Sequence, residues 1–274
     1  MGARTQYGGR EELGQNFLIH QPTIRLVTGL VRSSGGGSIL ELGAGDGALT
    51  RPLAALGRDL LAIDLDPGCV ERLQRRVPAA RVRQADALTV PFDRPVIVGN
   101  IPFHLTTPIL RRLLTTGTWT QAVLLTQWEV ARKRAGVGGG TLLTAQTSPW
   151  FEFDLRGRVP AAGFRPRPTV DGGVLCLRRR KVPLLGPQDR AAYERFVRGI
   201  FSGPGAGLGE ILGRYLGSAR AARTALSAAG VPVQALPRDV AAAQWPRLWQ
   251  ATASAKGPAG EAGLARANVS RPSR

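Results

Sequence analysis

The run Ser38-Ile39-Leu40-Glu41-Leu42-Gly43-Ala44-Gly45-Asp46-Gly47-Ala48-Leu49-Thr50 constrains the fold more than any other part of this chain. A short apolar strand enters a turn with glycine at every second position and leaves as a helix. Glycine lets the main chain turn tightly and lets a ligand lie against bare backbone. Strand, glycine turn and helix in that order belong to a layered α/β fold, which binds ligands at the carboxyl ends of its parallel strands. Asp64 ends the next apolar run, about 20 residues further on, where a carboxylate commonly grips ribose hydroxyls. Both features fit an adenosine cofactor. Gly43-x-Gly45-x-x-Ala48 also satisfies the dinucleotide fingerprint, so the loop alone does not separate NAD from S-adenosylmethionine.

Two further acids separate them. Glu41 stands just before the glycines, where a carboxylate faces a cationic amino or sulfonium group and repels a pyrophosphate. Asp86, at the end of the third strand candidate, is placed to accept a hydrogen bond from an adenine amino group. Alternating strands and helices extend to about residue 182. Strand candidates are 38–42, 60–64, 81–84, 96–100 and 122–126, with 151–157 and 174–178 as a closing antiparallel pair. Helix candidates are 22–32, 49–56, 69–76, 108–114 and 141–147, and Gly136 with Gly138–Gly140 marks a mobile loop. Beyond residue 186 the strands stop. Apolar residues at helical spacing over 189–201, 219–229 and 240–249 predict a small helical domain. The expected division is a catalytic domain over 1–182, a helical RNA-binding domain over 183–250 and a basic disordered tail over 251–274.

Charge indicates the partner. Lys plus Arg number 37 against 19 acidic residues, a formal net charge of +18, and all but Lys133, Lys181 and Lys256 of the cations are arginine. Such an excess attracts a polyanion, because each phosphate neutralised releases counterions. Arginine adds a planar fork for phosphate. No apolar run reaches membrane-spanning length and the first residues lack a secretory signal, so a cytoplasmic protein is expected. Two cysteines, Cys69 and Cys176, supply neither a disulfide framework nor a zinc site; no metal is expected.

Asn100-Ile101-Pro102-Phe103 follows the fourth strand candidate. The Asn100 side-chain oxygen and the Ile101 carbonyl can both accept from one exocyclic NH₂, turning its lone pair out of conjugation. Phe103 can stack on a purine, its π face stabilising positive charge on nitrogen. This tetrapeptide resembles the amino-methyltransferase motif in the form found in the Erm family, ribosomal RNA adenine N6-methyltransferases of macrolide–lincosamide–streptogramin B resistance. Other landmarks agree in order: Gly14-Gln15-Asn16-Phe17-Leu18, Gln127-Trp128-Glu129-Val130-Ala131 and Phe164-Arg165-Pro166-Arg167-Pro168-Thr169-Val170-Asp171. The resemblance covers about residues 13–180.

The resemblance implies a class I S-adenosylmethionine-dependent methyltransferase: a Rossmann-like, mostly parallel seven-stranded sheet with a small C-terminal helical domain. It implies that Asn16 and Leu18 contact the methionine end of the cofactor, that Gly43 and Gly45 cradle it, and that Asp64 binds ribose and Asp86 adenine. Asn100 would touch cofactor and target, Phe103 would stack on the flipped adenine and Phe164 would take its other face. The family often has Glu where Asp64 stands. Arg111, Arg112, Arg132, Lys133, Arg134, Arg165 and Arg167 flank the expected mouth as phosphate contacts. His104 is expected to pack in the turn and His20 to lie at a helix entry. The implied partner is 23S rRNA, protein-free or in an early precursor, met by a monomer with no role for DNA or membrane. Three alternatives stay open: the sister family acting on small-subunit rRNA, a non-catalytic RNA-binding relative of the fold, and an NAD-dependent oxidoreductase.

Overall fold

The structure, a computed structural model, describes residues 16–256. In chain order it contains β1 (Phe17–Leu18), α1 (Gln21–Arg32), β2 (Ile39–Leu42), α2 (Thr50–Ala54), β3 (Leu60–Asp64), α3 (Pro67–Arg76), β4 (Arg81–Gln84) and β5 (Val96–Asn100). Then come α4 (Thr106–Thr115), β6 (Gln121–Gln127), α5 (Trp128–Arg134), α6 (Leu142–Thr147), β7 (Phe151–Val159), β8 (Phe164–Arg165) and β9 (Gly172–Arg179). Helices α7 (Arg190–Ser202), α8 (Leu208–Leu216), α9 (Ala219–Ala228) and α10 (Gln244–Lys256) follow. None is long and apolar enough to cross a membrane.

Residues up to Val137 together with Phe151–Lys181 form one compact unit. Its seven-stranded sheet has the order β4-β3-β2-β5-β6-β9-β7, and β9 alone runs against its neighbours. Central strands such as β2 are buried along their whole length, which is why Ile39–Leu42 reads as a continuous run rather than an alternating one. The chain steps outward from β2 to β3 and β4, then returns to lay β5 on the other side of β2. That reversal opens a crevice beyond the carboxyl ends of β2 and β5, where Gly43 and Asn100 emerge. Helix α1 carries Pro22 in its first turn, where the missing N–H costs nothing, and buries Ile24, Val27 and Val31 on one face. Asp66 caps α3 by accepting from the Gly68 N–H at 2.8 Å.

The second unit takes Gly138–Trp150 and the chain from Val182 onward. Two expected boundaries therefore shift. Residues 138–150, expected in the catalytic domain, belong with the helices because the buried Tyr193 hydroxyl donates to the Ala145 carbonyl at 2.7 Å and Gln146 donates to the Glu194 carbonyl at 2.9 Å. Of the glycines expected to form a mobile loop, Gly140 is tied down there, its N–H donating to the Arg238 carbonyl at 2.6 Å, while Gly136 lies in the first unit. Helix α10 runs to Lys256, past the expected tail boundary at 251. The rest of that tail, and Gly14 and Gln15, lie outside the described residues.

Candidate active site

Four strand ends and one short ribbon build the site. Gly43 and Gly45 follow β2 with φ of +66° and +53°, a region where a side chain costs about 1–2 kcal/mol. A Cβ on Gly45 would also lie 3.0 Å from the Phe17 ring. Phe17 is held over the loop because β1 pairs antiparallel with β8, Phe17 opposite Arg165 and Leu18 opposite Phe164. A Gly45→Ala variant is thus expected to lose about 1–2 kcal/mol in chemical denaturation and to bind an adenosine cofactor at least tenfold more weakly by calorimetry; unchanged binding would show that no ligand uses this turn.

Around Phe17 the crevice forms two cavities whose linings share Phe17, Gly43, Gly45 and Asn100. The narrower, of about 240 Å³, is walled by Asp64, the turn 85–88 and the tetrapeptide 100–103. The wider, of about 690 Å³, is lined by Leu18, Glu41 and the turn Gly43–Ala48. Every cofactor residue expected from the sequence reaches one cavity or both.

Glu41 is 1% exposed, and its Oε2 has no hydrogen-bond partner. Burial pushes its carboxyl up to about 8; the Thr50 hydroxyl opposes this and the Asp64 charge adds to it. At neutral pH that carboxyl keeps its proton, and a cation beside it would favour the ionised form. Burial also raises Asp64, against the opposing pull of the Asp66 and Gly45 amides. Asp64 Oδ2 accepts from the Gly45 N–H at 2.7 Å and Oδ1 from the Asp66 N–H at 2.9 Å. The aspartate therefore holds the glycine turn through Oδ2 and the Asp66 amide through Oδ1, and each oxygen keeps a further lone pair for a hydroxyl donor. Asp86 Oδ1 accepts from the Leu88 N–H at 2.7 Å, which fixes the turn that presents it.

Asn100 Nδ2 donates to the Asn16 carbonyl at 2.6 Å. That bond settles the orientation of the amide: its donor end is occupied, and Oδ1 is left to accept. The Ile101 N–H donates to the Leu125 carbonyl at 3.0 Å and its side chain is 2% exposed, so the peptide is anchored from behind. Pro102 (φ −51°) turns the chain and leaves Phe103 half-buried at the cavity wall. A buried strand end thus presents an amide oxygen and a phenyl ring to one cavity.

Three expectations change. Phe164 is 2% exposed, packed on Gly172, and meets Phe103 edge-on with centroids 6.5 Å apart at 78°; it braces Phe103 instead of offering a second stacking face. Arg112 is not a surface phosphate contact, because its guanidinium donates to the Ala87 and Val90 carbonyls at 2.8 and 2.9 Å. His104 lines the cavity and is exposed, so it is not packed into the turn. The narrow cavity also draws on Leu105 and Ile109, which the sequence did not single out. His20 stands at the entry of α1 as expected, its Nδ1 2.8 Å from the Thr23 hydroxyl.

The remaining cations are dispersed over the same unit. Arg111, Lys133, Arg165 and Arg167 are exposed, and Arg132 lies 3.3 Å from Glu129. Arg134 is half-buried, and burial together with the nearby Arg111 charge pulls its pKa below the ordinary value. Cys69 and Cys176 are free and buried. No group of three metal-ligating side chains occurs among the described residues.

Comparison with known proteins agrees with this geometry. The model of a family described as ribosomal RNA adenine dimethylase matches residues 7–253. The chain is 44% identical over 273 residues to the mycinamicin-resistance protein MyrB of Micromonospora griseorubida, covering 97% of this chain and 88% of that protein. It is 48% identical over 213 residues to an rRNA adenine N-6-methyltransferase of Corynebacterium diphtheriae, covering 76% of this chain and 84% of that one. The crystal structure of the 23S rRNA methyltransferase ErmE superposes with a TM-score of 0.80 at 34% identity, covering 87% of this chain and all of that one. With the family's match running through the glycine turn, the Asn-Ile-Pro-Phe strand exit and most of the helical unit, the chain belongs to the ribosomal RNA adenine dimethylase family.

Proposed function

We propose that this protein transfers a methyl group from S-adenosylmethionine to N6 of an adenine in the peptidyl-transferase loop (domain V) of 23S rRNA, and so gives macrolide resistance. The observation that carries the reading is the Asn100 amide. Its nitrogen is spent on Asn16, so its oxygen, beside the Ile101 carbonyl and Phe103, is an acceptor for one amino group. The names of MyrB and ErmE supply the class of RNA and the resistance.

The residues fit the cofactor. Glu41, with an unpartnered buried oxygen, would hold its cationic methionine end with Asn16 and Leu18; Gly43 and Gly45 would pass it along bare backbone; Asp64 would meet the ribose and Asp86 the adenine. When bound, S-adenosylmethionine supplies a methyl carbon activated by a sulfonium. The chain supplies placement. Asn100 Oδ1 and the Ile101 carbonyl accept the two N–H groups of the target, which frees its lone pair toward the methyl. Phe103 stabilises the positive charge that grows on that nitrogen. The resulting ammonium loses its proton to water, so the site needs no strong base. The target adenine must leave its stack, which costs a few kcal/mol, least in an irregular loop. Arg111, Arg132, Lys133, Arg134, Arg165 and Arg167 are the proposed phosphate contacts, and the chain acts as a monomer.

Primer extension on 16S and 23S RNA after expression, with mass spectrometry of the modified fragment, tests the reading. A stop confined to one adenine of 23S domain V is expected; a stop only near the 16S 3′ end would transfer the protein to small-subunit methylation. Phe103→Ala is expected to lower kcat by about 10²-fold, within the range for a lost charge-stabilising contact, while cofactor affinity stays within twofold. A fall in cofactor affinity equal to the fall in kcat would place the ring on the wrong ligand.

A further inference from the structure

The turn 85–88 walls the narrow cavity but belongs to no strand or helix. Its first half is held locally: the Ala85 N–H donates to the Asp64 carbonyl at 3.0 Å, and the Leu88 and Val90 amides donate back to Asp86 at 2.7 and 3.0 Å. Its second half is held from elsewhere. One Arg112 nitrogen donates to the Ala87 carbonyl and another to the Val90 carbonyl, and the guanidinium carbon sits 4.4 Å from the centroid of the buried Phe92 ring. Arg112 lies on α4, which starts immediately after the turn Phe103–Leu105. A single side chain therefore ties the cofactor wall to the helix that grows out of the catalytic tetrapeptide.

We propose that Arg112 is a positioning residue for the cofactor, setting the adenine-side wall through the Ala87 and Val90 carbonyls. The proposal rests on the reading of turn 85–88 as the adenine wall. A planar fork can serve two carbonyls at once while its face lies on an aromatic ring; a lysine ammonium on a flexible stem serves one well. With both carbonyls and the ring engaged, the group has little left to offer a phosphate. Its neighbour Arg111 is exposed and keeps that role. Displacing a substrate-positioning element by about 1 Å can cost on the order of 10²-fold.

Calorimetry with S-adenosylhomocysteine, RNA-binding measurements and hydrogen exchange test this on the full chain. In Arg112→Ala the Kd for S-adenosylhomocysteine is expected to rise at least tenfold, exchange at Leu88 and Val90 to accelerate, and RNA affinity with its salt dependence to stay unchanged. Arg112→Lys should fall between the two, with a Kd about threefold above wild type. Arg179 performs the same type of bracing elsewhere, donating to the Trp119 and Gly117 carbonyls at 3.0 and 3.1 Å. Arg179→Ala should lower Tm but leave the cofactor Kd within twofold, which separates positioning from general stability. Asp86→Asn reports on the wall itself. If it weakens binding and Arg112→Ala does not, the Arg112 inference fails alone; if neither does, the adenine-wall reading fails with it. Weakened RNA binding with intact cofactor binding in Arg112→Ala would return the residue to phosphate contact. Should that variant not fold, wild-type Kd and exchange in Arg112→Lys would overturn the inference.

Discussion

Asn100→Ala is expected to reduce methyl transfer at saturating cofactor and RNA by about 10²–10³-fold, the range for removing one preorganised group that stabilises developing charge. The strand under it should survive, because β5 is secured by its pairing with β2 and β6 on both sides. Asn100→Asp is the sharper variant. It keeps the shape and the Oδ1 acceptor but puts an oxygen in place of Nδ2, which cannot donate to the Asn16 carbonyl, 2.6 Å away in the wild type. The carboxylate would repel that carbonyl and draw the Asn16 segment off the cleft, so the aspartate variant should lose turnover and cofactor affinity together, whereas alanine loses mostly turnover. Single-turnover transfer of a labelled methyl, with thermal unfolding as the control for folding, distinguishes the two. Activity within threefold of wild type in either variant would remove Asn100 from the chemistry.

Glu41 gives a prediction in pH. Its carboxyl titrates near 8 in the folded protein, against an ordinary value of 4.5. The folded state therefore keeps a proton that the unfolded chain gives up. Stability from this group is full below about pH 4.5, declines as pH rises toward 8, and is level above that. Cofactor affinity runs the other way, because a cation binds the carboxylate and must displace the proton. Affinity should rise by up to about tenfold per pH unit between pH 6.5 and 7.5, then fall again once the α-amino group of the ligand deprotonates at about 8. Glu41→Gln should flatten the rise, bind the cofactor at least tenfold more weakly at pH 8, and melt no lower than wild type at that pH. Isothermal calorimetry in two buffers of different ionisation heat would register the released proton. A pH-independent affinity in the wild type would mean that no cation approaches Glu41.

Most strands were legible because buried parallel strands are written as uninterrupted apolar runs, such as Leu60–Asp64 and Val96–Asn100. Helix α8 was not, because Gly207, Gly209, Gly213 and Gly217 mask an apolar stripe of Leu208, Ile211 and Leu212 that only packing reveals. Helix α6 was found, but its allegiance to the second unit depends on Tyr193, nearly 50 residues away. The residues proposed to meet the cofactor stand at strand ends around the two cavities, where the sequence pattern of acids and glycines after apolar runs placed them. Arg112 could not be read in this way: an arginine that holds two carbonyls and one that holds a phosphate look alike until the carbonyls are seen. Phe164 misled for a similar reason, since an aromatic that supports another aromatic has the same one-letter signature as one that clamps a base.

The ribbon made by Phe17–Leu18 and Phe164–Arg165 joins segments from opposite ends of the first unit. Two residues a side are too few to persist alone, so each half depends on the rest of that unit for its place. During synthesis the glycine turn and Asn100 are complete long before Phe164 leaves the ribosome, yet Phe17 has nothing to zip against until then. A nascent chain stopped short of that point would carry Glu41, Asp64, Asn100 and Phe103 and still lack the strand that pairs with Phe17 and Leu18, so on the proposed reading capture of the cofactor would come late in the birth of this protein.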